Sequence, residues 1–346
     1  MYIGHYAKSN IGVIRGNIMF RFEYFDSSKE KDWDNFIDER SINGTFLVSR
    51  RFLNYHPVER FKDVSLVIYN DKNNIAALCP ACEVEIDGKK TFFSHRGSTF
   101  GGIITDKKHY NAKYVMAMVA ELKEFLKTEG YEKVYLKQTS DIFSMVESDL
   151  FQYAYCYHGF KEYKELSTYV DYTGYKDDII SNFAQGKRTN VHNCIKEGLV
   201  VKPLTKDEDI ALFYDILCEN LAKYDTKPVH TLDELLEFKN NRLKDECGFF
   251  GIFKDEEMIA GSMMFYFAKA GCAHTQYLCA RQAYNKLSPM TFMYYSMIDE
   301  MKKRGYARIS WGTATEDLGR YLNMGLITSK EDFGSSYCNN LIYALE

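Results

Sequence analysis

Residues 248–279 read GFFGIF KDEE MIAGSMMFYF AKAG CAHTQYLC. Three apolar, aromatic-rich runs are separated by short polar or glycine-bearing breaks. This pattern predicts strands over Gly248–Phe253, Met258–Phe267 and Cys272–Cys279, with tight turns at Lys254–Glu257 and Lys269–Gly271. The three strands form an antiparallel meander. Ser288 then stands as an N-cap before Pro289, and Lys302, Lys303 and Arg304 precede Gly305, which punctuates one long helix. Arg308–Trp311 reads as the next strand. Tyr321 to Leu326 follows and is read as belonging to a helix.

The same order occurs earlier in the chain. Val64–Tyr69 is strand-like, and Asn70–Asn74 has turn chemistry. Ile75–Ile86 reads as one long strand, Asp87-Gly88 as a hairpin turn, and Thr91–Ser94 as the start of a third strand. Tyr114, Val115, Met118, Val119, Leu122, Phe125 and Leu126 recur at helical spacing, and Gly130 ends that helix. Lys133–Leu136 is the next strand, and Tyr155 to Phe160 corresponds to Tyr321 to Leu326. Helical segments precede each meander, about 30–39 and 46–55 in one case and 207–224 and 232–244 in the other. Thr231 with Glu234 signals a capping box. A duplicated order of elements weighs more than any single motif. The predicted architecture is α/β with a mixed (α+β) sheet, in two tandem domains over 20–172 and 173–346. Residues 1–19 form an N-terminal extension.

Composition narrows the function. The 346 residues carry a net charge of −4 and no Lys/Arg block, which argues against a dedicated nucleic-acid binder. No run of 18 apolar residues exists, so no transmembrane helix is expected. Nine scattered cysteines fit reduced, buried thiols of a cytoplasmic protein. Cys79-Pro80-Ala81-Cys82 has redox-motif spacing but lies inside a strand-like run, where the two side chains would face opposite ways. There is no Gly-x-Ser-x-Gly elbow, no His-Glu-x-x-His and no phosphate-loop lysine motif, and the eight dispersed His predict no metal site.

The tandem order resembles the GNAT acyltransferase fold used twice, as in the Fem-type (FemAB-like) peptidyltransferases and their acetyltransferase-like relatives. Tyr155 to Phe160 matches the family's Tyr-x-x-x-Gly-Phe, and Tyr321 to Leu326 nearly does. Gly186 to Leu199 resembles the basic helix that opens the second domain. Gly325 to Gly334 resembles the C-terminal Gly-Leu…Lys-x-x-Phe-Gly segment. The resemblance implies an N-acyltransferase acting on an amine of a cell-envelope precursor or related metabolite. Its donor would be acyl-CoA or aminoacyl-tRNA, its acceptor a small molecule, and tRNA a possible partner. One departure is plain: Arg281 to Pro289, where a Gly-rich pyrophosphate loop would stand, contains no glycine, and Pro289 removes an N–H. A non-catalytic binding protein on a duplicated fold is the competing reading.

Acyl transfer to an amine needs a neutral nucleophile, a stabilised carbonyl oxygen and a proton for the leaving group. By resemblance, Lys330 is the candidate for the oxyanion and Tyr321 for the acid. Both have bland alternatives, a loop lysine and a packing tyrosine. Lys286, Ser288, Met290, Gln276 and Tyr277 are candidates for the donor. Lys187, Arg188, His274, His95 and Arg96 are candidates for the acceptor. Strand alternation puts His274 and Gln276 on one face and Tyr277 on the other.

Overall fold

A computed structural model describes residues 19–346 except Val58 and Tyr224. Of the expected extension over 1–19, residues 1–18 lie outside the described residues. The Met19 N–H donates to Glu121.

The chain opens with β1 (Phe20–Tyr24), α1 (Glu30–Asn35) and α2 (Arg50–Leu53). The strands β2 (Lys62–Asp63), β3 (Leu66–Asn70), β4 (Ile75–Cys79), β5 (Cys82–Ile86), β6 (Lys89–Ser94) and β7 (Ile104–Thr105) follow. Next come α3 (Ala112–Thr128), β8 (Lys133–Lys137), α4 (Asp149–Tyr157) and β9 (Lys161–Asp171). The second half contains α5 (Gln185–Lys196), β10 (Val200–Pro203), α6 (Asp207–Ala222) and α7 (Leu232–Glu237). Its meander is β11 (Cys247–Lys254), β12 (Glu257–Phe267) and β13 (Cys272–Ala280), followed by α8 (Pro289–Lys303) and β14 (Arg308–Thr313). The chain closes with β15 (Thr315–Glu316), β16 (Tyr321–Leu322), α9 (Met324–Glu331) and β17 (Ser336–Leu345).

The second meander forms as its sequence predicts. The first is broken: the single strand expected over Ile75–Ile86 is two strands in two sheets. Pro80 has no N–H to give a ladder, and the chain turns there. β4 joins a four-stranded sheet, β1-β3-β4-β7, while β5 joins the main sheet. The Asp87-Gly88 hairpin is as read, with both residues at positive φ (55° and 71°). Thr231 and Glu234 close the expected capping box. Ser288 occupies the N-cap of α8 but makes no side-chain cap bond, because its backbone is left-handed (φ 53°).

The main sheet has eleven strands in the order β10-β11-β12-β13-β14-β9-β17-β8-β6-β5-β2. The halves exchange strands. β9, at the end of the first half, pairs with β14 of the second, and β17, at the end of the chain, lies between β9 and β8. Two parallel pairs, β6–β8 and β13–β14, are each bridged by one long helix, α3 or α8. Those helices cover one face through Val115, Met118 and Leu122, and through Met293, Met297 and Met301. On the other face a shared core joins the halves: Phe46 and Phe143 of the first pack against Phe265 and Phe267 of the second. Each such ring contributes about 1.5–3 kcal/mol by burial, so the two halves are cemented rather than tethered.

Candidate functional site

Each parallel pair makes a fork, because its strands diverge toward their C-terminal ends. In the first half, β6 and β8 pair up to Ser94 and Leu136. The chain from His95 then runs back across the gap. The Gly101 N–H donates to Lys137 O at 2.7 Å, the Gly102 N–H donates to Ser94 Oγ, and Gly101 bridges Gln138. A Cβ at Gly101 would come within 2.8 Å of the Ser94 carbonyl oxygen, so only glycine closes the fork this tightly.

In the second half, β13 and β14 pair only as far as His274 and Ser310. Beyond them lies a groove of about 440 Å³ whose walls come from both halves. His274, Gln276, Ser310, Gly312 and Thr313 form the fork side, and Arg96 to Phe100, the outer face of the first-half plug, lie opposite. His274 Nδ1 is 3.2 Å from Ser310 Oγ. Burial, reinforced by the charge of Lys330, pushes its pKa down to about 4, so the imidazole is neutral near pH 7. Lys330 stands behind this wall, on α9, and is 3% exposed. Its ammonium donates to Gly312 O and Thr313 O at 3.1 Å each, fixing the strand where it turns away. Burial lowers its pKa to about 8.

Tyr277 departs from the expected alternation. Met263 of β12 pairs with Tyr277 and Met264 with Thr275, leaving Gln276 as a β-bulge. The extra residue resets the side-chain period, and Tyr277 joins the same buried face as Cys272 and Cys279. Its hydroxyl is 2.6 Å from His230 Nδ1, and His230 Nε2 is 3.0 Å from the hydroxyl of Tyr55. A Tyr–His–Tyr chain thus ties the halves beside the groove. Burial pushes His230 down to about 4.

The other expected site residues are dispersed. Lys286 and Ser288 line a separate polar niche with Asn190, Asn193 and Glu197, on the α8 side of the sheet. Met290 packs against the core under α8. Lys187 is 3.8 Å from Asp332 and sits over the Phe333 ring, while Arg188 is exposed on the first turn of α5. His95 is buried beneath the plug and accepts from the Gly97 N–H, and its pKa falls to about 4 through burial. Tyr321 is not helical: it lies in the two-residue strand β16 and is 58% exposed. The turn at Gly319 (φ 84°) and pairing of β16 with β15 replace the helix that the repeat suggested. Its counterpart Tyr155 does lie on a helix, α4, but is fully buried.

So the groove gathers His274, Gln276 and Arg96, with Tyr277 and Lys330 behind its walls. It also contains residues not singled out from sequence: Ser310, His56, His230, Lys137, Glu165 and Asn340. Ser310 carried one signal, a hydroxyl amid the apolar strand Ile309–Trp311. Among the described residues no group of three His, Cys, Asp or Glu could hold a metal, and all nine cysteines are free thiols. No described helix is long and apolar enough to cross a membrane.

Comparisons with known proteins agree with this geometry. Residues 185–321 match the acetyltransferase (GNAT) domain family. The crystal structure of FemX superposes with a TM-score of 0.66 at 11% identity, covering 93% of this chain and 96% of that one. The L-PGS structure from Bacillus licheniformis superposes at 0.60 with 13% identity, over 92% and 91% of the chains. A tandem GNAT protein from the clavulanic acid biosynthesis pathway gives 0.53 at 9% identity, over 94% and 98%. No curated protein matches in sequence. The fold is therefore a GNAT fold of the tandem, Fem-like kind.

Proposed function

We propose that this chain is an N-acyltransferase whose chemistry occurs at the β13–β14 fork, where a donor on the α8 side meets an amine in the interdomain groove. The observation that carries this reading is the asymmetry of the forks: one is sealed by residues 95–102, and the other opens into a groove beside a neutral imidazole. The two tandem units, 20–172 and 173–346, then divide the work. The second supplies the reacting edge and the first supplies the facing wall.

In the reaction the acceptor nitrogen attacks the acyl carbon. A new N–C bond forms, the bond from that carbon to the donor's leaving atom breaks, the amine loses a proton and the leaving group gains one. Neutral His274 accepts a hydrogen bond from the amine and orients its lone pair. Past His274, the edge of β13 that faced β14 has no strand partner, so its N–H groups are available to the developing oxyanion. Lys330 acts as a positioning residue by holding the Gly312–Thr313 backbone.

Acyl-CoA and aminoacyl-tRNA are the two donor classes. The approach to α8 favours the second. Residues 282–287 form a 3-10 turn without glycine, Pro289 removes an N–H, and the adjoining niche contains the Glu197 carboxylate, all unfavourable to a pyrophosphate. Both donors are cytoplasmic, and the acceptor would be an amine of a cell-envelope precursor or related metabolite. Calorimetric titration with acetyl-CoA, coenzyme A and charged tRNA tests the assignment. Saturable coenzyme A binding weakened by Lys286→Ala would establish acyl-CoA as donor. Binding of charged tRNA alone would establish the other. No turnover over a broad donor and acceptor panel would leave a non-catalytic binding protein.

A further inference from the structure

The floor of the groove is polar where the halves share their sheet, and it contains charges of both signs that do not meet. β17 brings them together. Asn340 of β17 pairs with Glu165 of β9, and Ile342, two residues on, pairs with Lys137 of β8. Residues two apart on a strand face the same way, so Lys137, Asn340 and Glu165 project from one face, and all three line the groove. Asn340 confirms that face by donating from Nδ2 to Ser167 Oγ at 2.8 Å. Its Oδ1 is buried and accepts no hydrogen bond. Among the described residues neither Lys137 nor Glu165 forms an ion pair within 4.0 Å. Burial lowers the pKa of Lys137, and the Glu165 charge opposes that shift.

β17 separates the strands of Lys137 and Glu165, so the two are not cross-strand partners and each is left facing the groove. They remain apart across a cavity, with an unsatisfied carbonyl oxygen between them. Arg60 and Arg96 also line the groove, and Glu165 is its one carboxylate among the described lining residues. The ligand that complements this set has a carboxylate for the cations and, beside it, an ammonium for Glu165 and Asn340 Oδ1.

We infer that the groove floor is a binding site for the zwitterionic head of a free α-amino acid, its carboxylate on Lys137 and Arg96 and its ammonium on Glu165 and the Asn340 carbonyl. The sheet also sets the direction of the rest of the ligand. Glu165 and His274 are two strands and four residues of register apart, about 16 Å between Cα atoms at strand spacings of ~4.8 Å and a rise of ~3.3 Å. After the two protein side chains, that gap suits an extended chain of the length of ornithine or lysine. The acceptor class is then a diamino acid acylated on its side-chain amine at the fork. The acceptor assignment rests on the acyltransferase reading, whereas the head-group site does not.

The test is calorimetric titration of the full chain with L-lysine, L-ornithine, cadaverine (no carboxylate) and 6-aminohexanoate (no α-ammonium). The two amino acids should bind saturably, and each truncated analogue at least about tenfold more weakly, the worth of one charged contact. Lys137→Met should abolish the preference for lysine over cadaverine, and Glu165→Gln the preference over 6-aminohexanoate, with urea midpoints confirming folded variants. Equal binding of lysine and cadaverine, or no binding of any panel member by folded protein, overturns the inference. Lysine binding without acyl transfer from any donor would keep the site and sink the acyltransferase reading. Acyl transfer to other amines with no panel binding would do the reverse.

Discussion

The two forks begin from the same plan and end as opposites. Each is a parallel strand pair bridged by one long helix, and each has a histidine at or just past the last paired residue, His95 in one and His274 in the other. In the first, glycines let the chain double back and satisfy the exposed strand edge with its own backbone. In the second, a bulge at Gln276 and left-handed backbone at Gly312 (φ 74°) lead the strands apart, and the departing backbone is held by Lys330 and, on its other edge, by β9. The repeated order thus gives two forks. One is sealed into a wall, and that wall faces the groove into which the other opens.

The largest effect should come from breaking the plug. At Gly101 a valine would collide with the Ser94 backbone, whose carbonyl oxygen is 2.8 Å from the new Cβ. Gly101→Val should cost about 4 kcal/mol in urea unfolding, since backbone cannot yield as a side chain can. Gly312→Ala meets only the His274 ring, at 3.1 Å, and strains one left-handed residue. It should cost about 1–2 kcal/mol and slow transfer. Equal stability losses would mean the first fork is not sealed as described.

Chemistry should separate the forks next. His274→Ala should lower acyl-transfer turnover about 100-fold, the lower range for a group acting on the transferred proton. His95→Ala should leave initial rates within about threefold and appear instead as lost stability, because its ring is buried beneath the plug and accepts only from Gly97. Comparable rate losses at both positions would place the first fork in the reaction.

Acid should erase part of that difference. His95, His230 and His274 all drop from 6.5 to about 4 through burial. Between those values the unfolded chain binds protons that the folded chain refuses. Stability is therefore complete above pH 6.5 and falls as pH drops toward 4, by on the order of 2 kcal/mol per histidine. His95→Gln and His274→Gln should each flatten the acid limb of the urea midpoint, although only the second affects turnover. Lys330, lowered from 10.5 to about 8, works at the other end. Its burial cost is present below pH 8 and relieved as pH rises to 10.5, so Lys330→Met should remove a rise in stability over that window.

Much of this plan could be read from the chain, and the misses share a cause. The meander at 248–279, both long helices and the tandem order follow from period and punctuation alone. Pro80 is visible in the sequence, but which sheet each side of it joins depends on partners some distance away. The bulge at Gln276 is set by the register of β12, so strict alternation misplaces Tyr277. His274 and Gln276 were legible because polar residues in an apolar strand are conspicuous, and Arg96 because it holds the corresponding place in the first half. Lys137 and Glu165 were not: their strands hold other charged residues, and only the insertion of β17 between those strands brings these two to one groove.

The smallest effects belong to the repeated motif itself. Tyr155 and Tyr321 occupy equivalent places in the sequence, and a shared role as the proton donor would be the natural guess. Their surroundings argue otherwise. Tyr155 stacks on Tyr343 at 4.6 Å, and its buried hydroxyl makes no hydrogen bond. Removing an unpartnered buried hydroxyl relieves a desolvation cost, so Tyr155→Phe should be neutral or stabilise by up to about 1 kcal/mol. Tyr321 is exposed on a two-residue strand and does not line the groove. Tyr321→Phe should change stability by less than about 0.5 kcal/mol and turnover by less than about twofold, a difference of ~0.4 kcal/mol in barrier. A tenfold loss of turnover in that variant, with an unchanged urea midpoint, would require residues 315–322 to fold over the groove during reaction. The open fork would then resemble the closed one more than the resting structure suggests, covered by a segment that follows its strand rather than one that precedes its helix.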